Sequence, residues 1–230
     1  MAALGSPGFA LGLLFLGACG GGSGAHDAAP DIDNGSCGSA LRFTGDYVNW
    51  DNDTHFCGVF GARFAAEQGG GTSMTAPNGR FDLCVPDQPT ALVDITPPAD
   101  LPDCVADKTQ SYPLPGLAVA NKAVILAGGE WHGRTFLTGQ VAFNASLAQV
   151  YVHVDGTPRA VSLDAGHTHG QTMAVATTTW APGNVGHEVF FPDVDPAGGS
   201  ATLSVDGGAI GTGSIPLVAG KITTLSVIAP

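Results

Sequence analysis

The chain has few of the residues that build long helices or grip phosphate. Only 8 of its 230 residues are Lys or Arg, against 20 Asp and Glu, and the formal net charge is -12 at pH 7. A surface this acidic repels a nucleic-acid backbone, which argues against nucleic acid as a partner. It also repels anionic lipid, so membrane contact calls for a covalent anchor. Charged residues make up 12% and aromatic residues 7%, while Gly (34) and Pro (16) are frequent. That balance favours short strands with many turns over helices.

Several catalytic signatures are also missing. There is no C-x-x-C, which removes zinc-ribbon and thioredoxin readings. There is no G-x-S-x-G elbow. His187-Glu188 has no second His four residues after the first, so the zinc-protease signature fails. Glu occurs only at Glu67, Glu130 and Glu188, and nothing singles out an Asp pair for glycoside chemistry. In "GGEWHGR" the alternating Glu130, His132 and Arg134 would share one face of a strand; the plainer reading is a strand end with a polar outer face. Trp50, Trp131 and Trp180 are either sugar-stacking platforms or core residues.

No apolar run is long enough to span a bilayer. The longest candidate, Phe9 to Ala18, falls short of the about 20 residues that a spanning helix needs, but it fits the core of a secretion signal. It ends in Leu16-Gly17-Ala18-Cys19, which resembles the bacterial lipobox: an aliphatic residue, two small residues, then the cysteine that carries the lipid. The resemblance implies cleavage before Cys19, thioether attachment of diacylglycerol to its thiol, and a second acyl chain on the new amine, two chains being what stable anchoring takes. Gly20 to Gly24 then reads as a flexible tether, continued through Asp27 to Asn34. The implied localisation is the bacterial cell envelope, and Gly20 after the cysteine points to the outer membrane by similarity to bacterial sorting habits.

The other cysteines, Cys37, Cys57, Cys84 and Cys104, are even in number, as expected of disulfides in an oxidising compartment. Four cysteines allow three pairings, and all three stay open here.

From Ala40 onward the pattern is strand after strand. "GVFGARFAAE" sets Phe60, Ala62 and Phe64 against Val59, Gly61 and Arg63. Asn78-Gly79 is a turn signal, after which Phe81, Leu83 and Val85 alternate with Arg80, Asp82 and Cys84. "TALVDIT" places Val93 and Ile95 together, Pro97 to Pro115 reads as loop, and "GLAVANKAVILAGG" reads as strand. "GVFGARF", "TAPNGRFDLCVP" and "ALVDIT" resemble the carboxypeptidase regulatory-like, or prealbumin-like, β-sandwich, through Gly58, Val59, Gly61, Ala62, Asn78, Gly79 and Phe81. That resemblance covers roughly residues 38 to 130 and implies a supporting or binding role without catalysis.

In the second half, "LAQVYVHVDGTPRAVSLDAG" reads as a hairpin about Asp155-Gly156, with Val150, Val152 and Val154 facing in and Tyr151 and His153 facing out. Further short strands suggest a second sandwich. The expected fold is therefore all-β, with two small antiparallel β-sandwich domains behind a signal peptide and tether. The expected boundaries are 1–18 signal peptide, 19–37 lipidated Cys19 and tether, 38–134 first sandwich, and 135–230 second sandwich.

The best metal candidates are His167 and His169 in "GHTHG", with His153 as a third ligand for copper or zinc; the plainer reading is a solvated turn. Asp51 and Asp53, and Asp193 and Asp195, are loop pairs that suit calcium or simply cap turns. The reading that follows is a lipid-anchored, non-catalytic binding or scaffolding module with no resident cofactor. Its partners would be the membrane, through the anchor, and an envelope protein or polysaccharide. The alternatives are a copper/zinc-binding lipoprotein and a carbohydrate-active enzyme.

Overall fold

The computed structural model describes residues 37–49, 58–100, 112–121, 131–134, 136–137, 141–167, 171–173 and 180–228. Among these residues the protein is all-β; the only helical element is a 3-10 turn at Pro196–Gly198, capped by the Asp195 side chain. The strands of the first half are β1 (Leu41–Val48), β2 (Arg63–Ala66), β3 (Thr72–Met74), β4 (Arg80–Val85), β5 (Thr90–Thr96), β6 (Tyr112–Pro113), β7 (Gly116–Asn121) and β8 (Trp131–Arg134). Those of the second half are β9 (Phe136–Leu137), β10 (Ala148–Asp155), β11 (Arg159–Leu163), β12 (Gln171–Met173), β13 (Trp180–Pro182), β14 (Val185–Gly186), β15 (Glu188–Val194), β16 (Ser200–Val205), β17 (Gly208–Pro216) and β18 (Ile222–Ile228).

Nine of them form one sheet in the order β13-β12-β15-β10-β18-β7-β5-β2-β3. A three-stranded sheet (β4-β1-β8), a four-stranded sheet (β14-β11-β16-β17) and the short β6-β9 pair complete the architecture. Most pairings are antiparallel, but β1–β8, β10–β18 and β18–β7 are parallel. Two of the three come from the last strand, β18, which inserts between β10 and β7; strands not joined by a tight turn are free to run parallel. The expected boundary at 134/135 falls between β8 and β9. The aromatic core lies wholly on the first side and the aliphatic core mostly on the second, but Val119 of the first half joins the aliphatic core, and the nine-stranded sheet draws β2, β3, β5 and β7 from the first half and its other strands from the second.

Alternation along each strand sends neighbouring side chains to opposite faces of that sheet. On β7, Ala118 and Ala120 enter an aromatic core beneath the three-stranded sheet, while Val119 enters an aliphatic core on the other face. The aromatic core gathers Phe43, Tyr47, Phe64 and Phe81 around Trp131, with Phe64 and Phe81 stacked at 4.2 Å. The aliphatic core joins Val150, Val152 and Val154 of β10 to Val161, Leu203 and Leu225. A third cluster, on the same face as the aromatic core, contains Tyr151, Phe190, Trp180 and Ile222.

Three local expectations change. Val59 is buried and Phe60 exposed, because Val59 is held by backbone bonding to Tyr47 and by the Thr75 hydroxyl, and Gly61 turns the chain at φ 80°. Only from Ala62 does alternation begin, with Phe64 buried and Arg63 exposed. Tyr151 is buried rather than outward, since the third cluster covers its face of the sheet. Asp155-Gly156 is a turn, with Gly156 at φ 93°, but it makes no hairpin: β10 pairs with β15 and β18, whereas β11 pairs with β14 and β16. Asn78-Gly79 behaves in the same way and carries the chain from β3 in one sheet to β4 in another. Turn chemistry sets a reversal of the chain; it does not choose the partner strand.

That second corner is tightly packed. Gly79 lies at φ 82° and donates to the Ala76 carbonyl at 2.8 Å, while the Arg80 N–H donates to Asn78 Oδ1 at 3.1 Å. Gly58 lies against it so closely that a Cβ would come within 1.9 Å of the Asn78 carbonyl carbon. Gly58→Ala is therefore expected to destabilise by at least the about 1–3 kcal/mol of an overpacked core, because backbone rather than a flexible side chain must move. Gly198→Ala, whose Cβ meets nothing within 4 Å, serves as the near-neutral control; urea midpoints of the two variants measure the difference.

Candidate functional site

The valines of β10 point into the aliphatic core, so Tyr151, His153 and Asp155 line its other face. Strand β15 runs antiparallel beside it in the register Tyr151↔Phe190 and His153↔Glu188. Glu188 is thereby placed directly across from His153, the geometry in which cross-strand side chains meet.

The four polar groups form one chain of hydrogen bonds. The Tyr151 hydroxyl donates to Glu188 Oε2. His153 Nδ1 lies 2.8 Å from Glu188 Oε1, and His153 Nε2 lies 3.0 Å from Asp155 Oδ1. Carboxylates accept, so both ring nitrogens donate and the ring is an imidazolium. Burial pulls the His153 pKa down, but hydrogen bonds to Asp155 and Glu188, together with their charges, outweigh it and raise the value from the ordinary 6.5 to about 9. Glu188 and Tyr151 are buried and Asp155 is half-buried, so the chain runs from the interior towards solvent.

This arrangement bears on the chemistry open to His153. A doubly protonated ring has no lone pair, so it neither ligates a metal nor takes a proton from a substrate. Position separates two of the three grouped histidines. His167 packs edge-on to Phe191, with ring centroids 5.0 Å apart, and Phe191 belongs to the aliphatic core. His153 and His167 thus sit on opposite faces of the sheet, and His169 lies outside the described residues. Among the described residues no group of three or more His, Cys, Asp or Glu side chains is set to hold a metal ion.

The other candidates resolve into structural roles or fall outside the described residues. Asp193, at φ 54°, accepts from the Asn144 N–H and donates its own N–H to Gln149 Oε1, and Asp195 caps the 3-10 turn. Trp131 and Trp180 are buried. Trp50, Asp51, Asp53, Glu130 and the side chains of His132 and Arg134 lie outside the described residues, as do Cys19, Cys57 and Cys104. Cys37 and Cys84 form a disulfide, with Cα atoms 5.4 Å apart. No helix among the described residues is long and apolar enough to cross a membrane.

Sequence reasoning meets Glu188 only in rejecting a zinc-protease signature and a glycoside pair, and gives it no place in a site. Its only visible signal was the Tyr-x-His-x-Asp alternation of β10, which marks a polar strand face in need of a partner. The fold and site define an all-β protein of stacked sheets with a partly buried ion-pair cluster. The chain matches no protein-family model and no curated protein.

Proposed function

We propose that the protein is an exported, lipid-anchored β-sheet module of the bacterial cell envelope that presents a binding or scaffolding surface and performs no catalysis. The observation that carries this reading is the seam Leu16-Gly17-Ala18-Cys19 followed by a glycine-rich tether. The Cys37–Cys84 disulfide supports it, because such bonds persist in oxidising compartments. The non-catalytic part draws support from the His153 cluster, whose ring nitrogens are both engaged by carboxylates. The likeness of the Gly58–Phe81 region to carboxypeptidase regulatory-like domains favours the same role. The outer membrane is the proposed site, and an envelope protein or polysaccharide the proposed partner.

The test is the intact mass of the native protein extracted from membranes in detergent. The expected mass is that of Cys19–Pro230 plus acyl chains, less the hydrogens lost to two disulfides. A chain without lipid would overturn the anchor. Hydrolytic turnover of an envelope polysaccharide by the purified protein would overturn the non-catalytic reading.

A further inference from the structure

The corner between β3 and β4 holds a chemically reactive dipeptide, Asn78-Gly79. In an unfolded chain the Gly79 nitrogen, once base has taken its proton, attacks the neighbouring Asn78 Cγ, and glycine has no side chain to hinder the approach. The Cγ–Nδ2 bond breaks and ammonia leaves with a proton. Water then opens the cyclic imide at one of its two C–N bonds. One opening gives an ordinary aspartyl residue; the other gives an isoaspartyl residue, whose main chain runs through Cβ and Cγ.

The folded corner sets its geometry against ring closure. The Gly79 N–H donates to the Ala76 carbonyl, Asn78 has a negative φ and the peptides are trans, so residues 76–79 make a type I turn. In that turn ψ of the third residue is about 0°. The Gly79 nitrogen then lies beside Asn78's own backbone nitrogen, turned away from the Cγ that it has to reach. Rotating the bond between them breaks the bond to Ala76 and a second one, in which the Gly79 carbonyl accepts from the Tyr47 N–H at 3.0 Å. It also moves a peptide against which Gly58 is packed, with no room for a side chain between them. The Asn78 side chain is exposed, so water and base reach it as soon as the backbone is free to turn.

We propose that Asn78 is a fold-gated modification site: the folded protein suppresses its conversion, opening of the β1–β4 region releases it, and the isoaspartyl product then bars the chain from the native state. The two products differ in fit. The aspartyl form keeps the length of the main chain and an oxygen for the Arg80 N–H, and its new charge is exposed. The isoaspartyl form adds a methylene to the main chain where even a Cβ on Gly79 would lie 2.4 Å from the Tyr47 carbonyl oxygen and 2.8 Å from Gly58 Cα. It also turns the Asn78 carbonyl, packed against Gly58, into a carboxylate.

Peptide mapping by mass spectrometry on the whole chain tests this in mildly alkaline buffer, with the forms of residue 78 separated by chromatography. A synthetic peptide of residues 75–82 gives the unrestrained rate. Loss of Asn78 is expected to be at least about tenfold slower in the native protein than in that peptide, and to match the peptide in guanidinium chloride. When the denaturant is removed, chains with the aspartyl form should return to the native pool and chains with the isoaspartyl form should be left out of it. A native rate equal to the peptide's, or isoaspartyl chains in the native pool in proportion to their total, would overturn the proposal. Asn78→Ser keeps an oxygen for the Arg80 N–H but forms no imide, so it should refold in full after the same incubation. Loss of refolding as fast as in the parent would place the damage elsewhere, as at Asn34-Gly35, and overturn the gate at Asn78. The two readings on the parent chain decide without this variant.

Discussion

Replacing Trp131 with alanine is expected to remove about 3–5 kcal/mol of stability, the range for emptying the site of a large core aromatic. Trp131 is fully buried and touches Phe43, Tyr47, Phe64 and Phe81, so the cavity would open at the centre of the aromatic core. It also ties two sheets together: it lies on β8 of the three-stranded sheet, and its Nε1 donates to the Thr224 carbonyl of β18 at 3.4 Å. Trp131→Phe keeps most of the volume but loses that donor, and should fall between the parent and the alanine variant. Against a typical net stability of about 5–15 kcal/mol, the alanine variant loses a large share. Urea unfolding measures all three proteins; a shift below about 1 kcal/mol for Trp131→Ala would mean that the core is not built around this residue.

Removing the Cys37–Cys84 bond is expected to cost nearly as much. The two residues are separated by 47 positions in the chain, and closing a loop of that size lowers unfolded-state entropy by an amount worth about 4 kcal/mol at 25 °C. The loop contains β1, β2, β3 and most of β4, so the bond restrains the strands that supply much of the aromatic core. A Cys37→Ser/Cys84→Ser double variant should show that loss in its urea midpoint. Wild-type-like stability would place the bond outside the cooperative unit.

Much of the architecture is legible in the sequence. The alternation of Phe81, Leu83 and Val85 with Arg80, Asp82 and Cys84 is seen in β4, and Val93 and Ile95 share the same core. Val150, Val152 and Val154 do face inward. These patterns are local, because a strand with one face in a core must repeat every two residues. Errors arose where a second surface intervened. Tyr151 looked outward because alternation shows only that it opposes the valines; a second cluster covers the far face. Phe60 departs from the alternation because Gly61 at φ 80° breaks the two-residue period there.

The sequence by itself determined that the chain is all-β, where its turns fall, and which residues of most strands share a face; each of these follows from composition, backbone preference and a two-residue period. Only the tertiary structure decided which strands are neighbours. It placed β18 between β10 and β7, set Cys37 beside Cys84, and brought Glu188 across from His153. Strand pairing is long-range: Trp131 meets a carbonyl 93 residues away. Any strand with one apolar face satisfies a core, so the choice among partners is made by the packing of the whole chain at once.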